Sequence, residues 1–250
     1  MTLRGKTAIV TGGGRGIGRA TVDRLRAAGA NVATCGRGDR PADLAEAVLW
    51  VQADVSRSAD AERIVAAAQA QFGPVAVLVN NAGVQVEKPV TETTDEDWDR
   101  VIGTNCRGTF NMCRAFIPQA PEGSSIVNLG SISGEVADPS MAIYNASKGF
   151  VHALTRSIAI DHGPRIRCNA VRPGWIATEM AEAGFALARD PERAKADALA
   201  RHAMRRFGRP EDVAEAILWL VSDASGFVTG QCFTIDGGLT SASPLQPGLY

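Results

Sequence analysis

The chain has 250 residues, with 26 Lys and Arg against 27 Asp and Glu and a formal net charge of −1. A balance this even excludes a global field for nucleic acid or an anionic membrane. At 45% hydrophobic and 21% charged residues, the composition excludes a disordered chain. No apolar run reaches the ~18 residues of a membrane span. The opening residues 1–6 lead into a strand-like run without a signal-peptide core or cleavage site, which points to the cytoplasm. The five cysteines (Cys35, Cys106, Cys113, Cys168 and Cys232) show no CxxC spacing, and His152, His162 and His202 form no HExxH. Neither a disulfide framework nor a metal site is expected.

In chain order, Thr7–Thr11 reads as a buried strand, followed by a glycine-rich turn over 12–18 and a helix ending at Gly29. Asn31–Cys35 and Val48–Gln52 read as strands joined through a short helix around Ala42–Ala47. Ser58 to Gln71 is helical with Ser58 as N-cap, stopped by Gly73-Pro74. Val75–Val79 is a fourth strand, apolar throughout as buried parallel strands are. A long helix starts near Thr94 or Asp95 and ends by Pro118. Ser125–Leu129, a helix over Met141–Asp161, Ile166–Val171, a helix over Pro210–Val221 and Gln231–Ile235 complete the series. Such alternation predicts an α/β fold: a single doubly wound Rossmann-type domain, its seven-stranded sheet mostly parallel, with helices on both faces. Residues 175–209 break the rhythm and read as a mobile helical flap over a site at the carboxyl ends of the strands. Their Trp175, Met180 and Phe185 fit a partly apolar substrate and equally a helix core.

The glycine turn carries the first functional motif. Gly12, Gly16 and Gly18 stand between the first strand and the first helix. Glycines there permit a tight turn and let a pyrophosphate approach free N–H groups at the helix N-terminus. An NAD site places an acid at the end of the second strand for the ribose 2′-OH. Here that stretch reads Cys35-Gly36-Arg37-Gly38, with Asp39 further out. Arg37, with Arg15 as a second clamp, suits a 2′-phosphate, so NADP(H) is favoured over NAD(H).

The second motif is Tyr144, four residues before Lys148 near the start of a helix. Residues i and i+4 share a face, so phenol and ammonium point into one cleft. A neighbouring cation is expected to lower the phenol pKa toward working pH and make it a usable proton donor and acceptor. Alone, this spacing is a common surface pattern. Ser131, at the carboxyl edge after the fifth strand, adds a hydroxyl that can donate to a developing alkoxide. Asn80-Asn81-Ala82-Gly83 ends the fourth strand at the same edge. Asn105, a poor helix former inside the long helix, is placed to hold a water near Lys148.

In these motifs the sequence resembles the short-chain dehydrogenase/reductase family, and in overall look its 3-oxoacyl-(acyl carrier protein) reductase-like members, over about residues 4–238. The resemblance implies an oxidoreductase interconverting a secondary alcohol and a ketone, a 3-oxoacyl thioester or a polyol being alternative substrates. It implies Tyr144 as acid/base, Lys148 lowering its pKa and binding the nicotinamide ribose, Ser131 holding the substrate oxygen, and Asn105 anchoring a relay water. Gly12, Arg15, Gly16, Ile17 and Gly18 would cradle the dinucleotide. Asp54 and Val55 would meet the adenine, Asn81, Ala82 and Gly83 the adenine-ribose side, and Pro173, Gly174, Ile176 and Thr178 the nicotinamide side. It further implies a homotetramer or homodimer packed through the long helix and the Tyr144 helix. A non-catalytic NADP-sensing protein on the same fold is the alternative of another class. The tail from Leu239, with Pro244 and Pro247, runs past the family's usual end.

Overall fold

A computed structural model describes residues 1–241; Pro244 and Pro247 of the tail lie outside the described residues. All five residues of β1 (Thr7–Thr11) are buried. Ala8 and Val10 pack on one sheet face with Val22 and Leu25, whereas Ile9 packs on the other with Ile64, Met112 and Phe116. A strand covered on both faces carries apolar residues on both, which is why residues 8–10 show no period-two polarity. The other strands are β2 (Asn31–Gly36), β3 (Leu49–Gln52), β4 (Val75–Asn80), β5 (Ser124–Leu129), β6 (Ile166–Pro173) and β7 (Cys232–Ile235). They form one sheet in the order β3-β2-β1-β4-β5-β6-β7, and every neighbouring pair is parallel. The expected mostly parallel sheet is thus parallel throughout.

Helix α1 (Gly16–Ala27) packs against α8 (Pro210–Val221) on one face. On the other lie α2 (Ser58–Phe72), α4 (Thr109–Phe116) and α5 (Ala142–His162). Phe116, Ile126 and Ile217 are fully buried, and such a side chain contributes roughly 1.5–3 kcal/mol of transfer free energy. No helix is long and apolar enough to cross a membrane, among the described residues.

Three local expectations give way. The helix around Ala42–Ala47 does not form: residues 41–47 run as turns. The Arg40 guanidinium there donates to the carbonyls of Leu44 (3.2 Å), Ala45 (2.7 Å) and Val48 (2.8 Å), so these acceptors are satisfied without helical bonds. Ser58 is not the N-cap of α2. Extended Arg57 holds that place, and the Ser58 hydroxyl accepts from Arg114 at 2.7 Å. The long helix begins as expected at Thr94, which closes a capping box with Asp97 before α3 (Asp95–Val101). It then passes through a π-helical turn over Ile102–Gly108 before resuming as α4.

Candidate active site

Strand order reverses between β1 and β4, so the chain leaves the sheet edge in opposite directions there and opens a crevice. A cleft of about 680 Å³ lies at this edge. Gly12 (φ 67°) and Gly16 (φ 54°) adopt left-handed backbone in the turn before α1, a region that disfavours other residues. A Cβ on Gly18 would stand 2.3 Å from the Gly12 carbonyl oxygen. The N-cap residue Arg15 gives no side-chain cap to the first turn of α1, leaving its N–H groups for an anion. This uncapped turn, closed tightly on itself, fits a dinucleotide pyrophosphate.

The other cofactor candidates converge on the same cleft. Thr11 Oγ1 accepts from the N–H groups of Asn81 and Ala82, both at 3.0 Å, and Asn81 Nδ2 donates to the Thr11 and Gly12 carbonyls at 2.8 and 3.1 Å. The ends of β1 and β4 are thereby locked together. Asp54, Val55, Gly83, Pro173, Gly174, Ile176 and Thr178 also line the cleft. Asp54 Oδ1 accepts from the Ser56 N–H and hydroxyl. Thr178 caps α6 (Glu179–Ala186). Arg37 is exposed at the cleft and makes no ion pair among the described residues. Arg15 instead pairs with Glu179 at 2.5 Å across the cleft mouth, so a 2′-phosphate would have to compete for it.

Tyr144 and Lys148 lie one turn apart on α5, with Lys148 Nζ 5.5 Å from the phenol ring centroid. Lys148 is buried and donates to the Leu129 carbonyl at 2.7 Å. Burial pushes its ammonium down to about 8. Burial also pushes the Tyr144 phenol up to about 12, against the lowering influence of the Ser131 hydroxyl, and the Asp138 carboxylate adds to the rise. The expected lowering by the lysine does not appear: desolvation of the phenolate dominates and the net shift is upward. Ser131 Oγ bonds Ser133 Oγ at 3.1 Å, and Ser133 donates to Asp138 Oδ2 at 3.0 Å.

Asn105 lies within the π-helical turn. Its Nδ2 donates to the Val84 carbonyl (2.9 Å) and Ser147 Oγ (3.0 Å), and its Oδ1 accepts from the Val84 N–H at 2.9 Å. Both amide hydrogens are engaged, so for a water the side chain retains only the second lone pair of Oδ1. That atom faces the space beside Gly83: a Cβ there would lie 3.5 Å from it and 3.8 Å from Lys148 Nζ.

A family model described as enoyl-(acyl carrier protein) reductase matches residues 12–240. The NADP-dependent (R)-specific alcohol dehydrogenase of Lentilactobacillus kefiri is 37% identical, over 96% of this chain and 98% of that one. The 3-oxoacyl-[acyl-carrier-protein] reductase FabG of Thermotoga maritima is 36% identical, over 96% of this chain and 99% of that one. The chain belongs to the short-chain dehydrogenase/reductase family. Ligand-free aldohexose dehydrogenase from Thermoplasma acidophilum superposes with a TM-score of 0.91 at 32% identity, covering 97% of each chain. As a short-chain dehydrogenase/reductase, the protein is an oxidoreductase acting on CH–OH groups.

Three residues of this short-chain dehydrogenase/reductase were not singled out by motif. Trp50 of β3 lies over the glycines at the ribose end: a Cβ on Gly36 would meet its ring at 2.6 Å. His152, one turn beyond Lys148, is buried beneath the Ser131 loop; a Cβ on Gly130 or Gly134 would come within 2.4 Å of its ring. Burial, then the Lys148 charge, push that imidazole down to about 4. Asp138 joins the serines already described. Only its position, close before the tyrosine motif, hints at it in the sequence.

Proposed function

We propose that this enzyme interconverts a secondary alcohol and a ketone with NADP(H), Tyr144 acting as the acid/base. What carries the reading is the convergence of Tyr144, Ser131 and Lys148 beside an uncapped, glycine-built helix N-terminus. A bound nicotinamide cofactor would supply the hydride chemistry. Tyr144 gives or takes the hydroxyl proton, Ser131 holds the substrate oxygen, and Lys148 fixes the ribose and the charge beside the phenol. Asn105 secures the loop after β4 to α5 and keeps an oxygen toward Lys148 for a water. Incubating the purified protein with NADPH and a panel of ketones tests the reading: the nicotinamide absorbance should fall with at least one of them. No change across the panel rejects it.

The preference for NADP(H) rests on Arg37, free at the end of β2, where no acid stands in its place. The NADP-dependent relative accords with it. Charge-assisted hydrogen bonds contribute about 1.5–3 kcal/mol, so Arg37→Ala should weaken NADPH binding roughly ten- to a hundredfold and hardly alter NADH binding. Dissociation constants for both cofactors on both proteins decide it. Tighter NADH binding by the wild type overturns the assignment.

We also read residues 1–250 as one domain in which residues 175–209 form a flap that sets substrate choice. Helices α6 and α7 (Pro191–Ala200) occupy this stretch. Trp175 stacks on Phe185 at 4.6 Å, so Phe185 belongs to the flap's own packing, while Trp175 and Met180 line the cleft. A homotetramer or homodimer built through α4 and α5 is supported by half-exposed Phe110 and Phe150 on those helices; a monomer mass by light scattering would exclude it.

A further inference from the structure

The substrate end of the cleft contains an acid that the proton chemistry does not use. Asp138 is half-buried in the loop between β5 and α5 and lines the cleft with Ser131 and Tyr144. Its backbone is held: Asn145 Nδ2 donates to its carbonyl at 3.3 Å, Pro139 follows, and Ser140 takes a left-handed conformation at φ 56°. A non-glycine residue persists in that region only where the surroundings enforce it, and such positions concentrate at ligand sites. Ser133 occupies Oδ2 of the carboxylate, and Oδ1 has no protein donor among the described residues. Gln85, also lining the cleft, spends its Nε2 on Glu87 at 2.6 Å, which leaves its Oε1 as an acceptor.

Cations are placed elsewhere. Of the three that line the cleft, Arg15 and Arg37 belong to the glycine turn and the end of β2, and Lys148 is bound to the Leu129 carbonyl. Among the described residues, the substrate end therefore offers hydrogen-bond acceptors and no spare positive charge. A carboxylate, sulfonate or phosphate placed there would face Asp138 without compensation, whereas a hydroxyl would find an acceptor in a fixed position.

From this we infer that Asp138 recognises a second substrate hydroxyl next to the reacting carbinol, so the enzyme acts on neutral polyols and the corresponding hydroxyketones and rejects anionic substrates. The inference rests on the hydride-transfer reading and adds the substrate class to it. In the oxidation direction the carbinol C–H leaves as hydride to the oxidised dinucleotide, the carbinol proton passes to Tyr144, and a hydroxyketone results. The second hydroxyl keeps its proton, shared with Asp138.

The test compares butane-2,3-diol, butan-2-ol and 3-hydroxybutyrate on wild type, Asp138→Asn and Asp138→Ala, with melting temperatures confirming that the variants fold. A hydrogen bond to a charged group corresponds to roughly ten- to a hundredfold in affinity. In wild type, kcat/KM for the diol should therefore exceed that for butan-2-ol by about tenfold or more. In Asp138→Ala that ratio should collapse toward one, and in both variants the discrimination against 3-hydroxybutyrate should narrow. Ratios unchanged by either substitution overturn the role of Asp138. Calorimetric titration of the same compounds reads the preference without turnover. An absence of turnover with a retained Asp138-dependent diol preference would thus reject the hydride-transfer reading alone, and equal binding of diol and mono-alcohol would reject the polyol inference.

Discussion

Tyr144→Phe should lower turnover by ~10²–10⁴-fold, the usual contribution of a positioned general acid or base, while dinucleotide affinity stays near wild type. The ring, half-buried beside Lys148, keeps its packing in Phe, and only the hydroxyl, which lines the cleft with Ser131, is lost. The pH dependence follows from the phenol's place. Burial holds it up at about 12, so it is protonated at neutral pH and ready to donate to a ketone oxygen. Alcohol oxidation needs the phenolate, so its rate in wild type should rise with pH through the alkaline range, and the Phe variant should lose that rise. Near-wild-type kcat for Phe, measured with any accepted substrate, would remove Tyr144 from the chemistry.

Lys148→Met should abolish most activity and yet not cost stability at neutral pH. The ammonium falls from its ordinary 10.5 to about 8 on folding, which corresponds to roughly 3 kcal/mol of penalty on the folded protein below about pH 8, where the lysine is charged in both states. Methionine removes that penalty but leaves the Leu129 carbonyl without its donor, a cost of about 1–3 kcal/mol. The two nearly cancel, so Tm at pH 7 should be unchanged or raised. The sign reverses with pH. Between about 8 and 10.5 the unfolded chain binds the proton that the folded one does not, so wild type gains stability as pH rises. Any advantage of the Met variant should therefore shrink across that window. Thermal melts of both proteins from pH 7 to 11 give the answer; a Met variant much less stable at pH 7 would show that Lys148 is structural.

The strands were legible because a sheet buried on both faces favours short apolar runs, and residues 8–10 and 75–79 supply them. The Tyr144–Lys148 face was legible because helical periodicity alone brings residues four apart together. Other features depend on contacts that no local pattern encodes. Residues 42–47 favour a helix by their alanines, but one guanidinium, that of Arg40, binds two carbonyls of the segment and that of Val48 just beyond it, and holds it as turns. The π-helical turn at Ile102–Gly108 is a slip of backbone hydrogen bonding, and Asn105 within it is engaged by Val84 and Ser147 from other parts of the chain. The phenol and ammonium shifts arise from burial by residues distant in sequence, so the proximity of two charges could not foretell them.

The crevice between β1 and β4 has a consequence for the lifetime of the molecule. One side of it is built from β1, β2 and β3 and the other from β4, β5 and β6, so the halves of the sheet meet where the cleft opens. Any dinucleotide bound across it touches both and is lost when either unravels. It then acts as a removable staple, and at a hundred times its dissociation constant it adds about 2.7 kcal/mol to stability. For a domain whose total margin is roughly 5–15 kcal/mol, a cell depleted of that nucleotide would hold the same polypeptide closer to unfolding and proteolysis. The supply of redox cofactor would thus set how much of the enzyme survives as well as how fast it turns over.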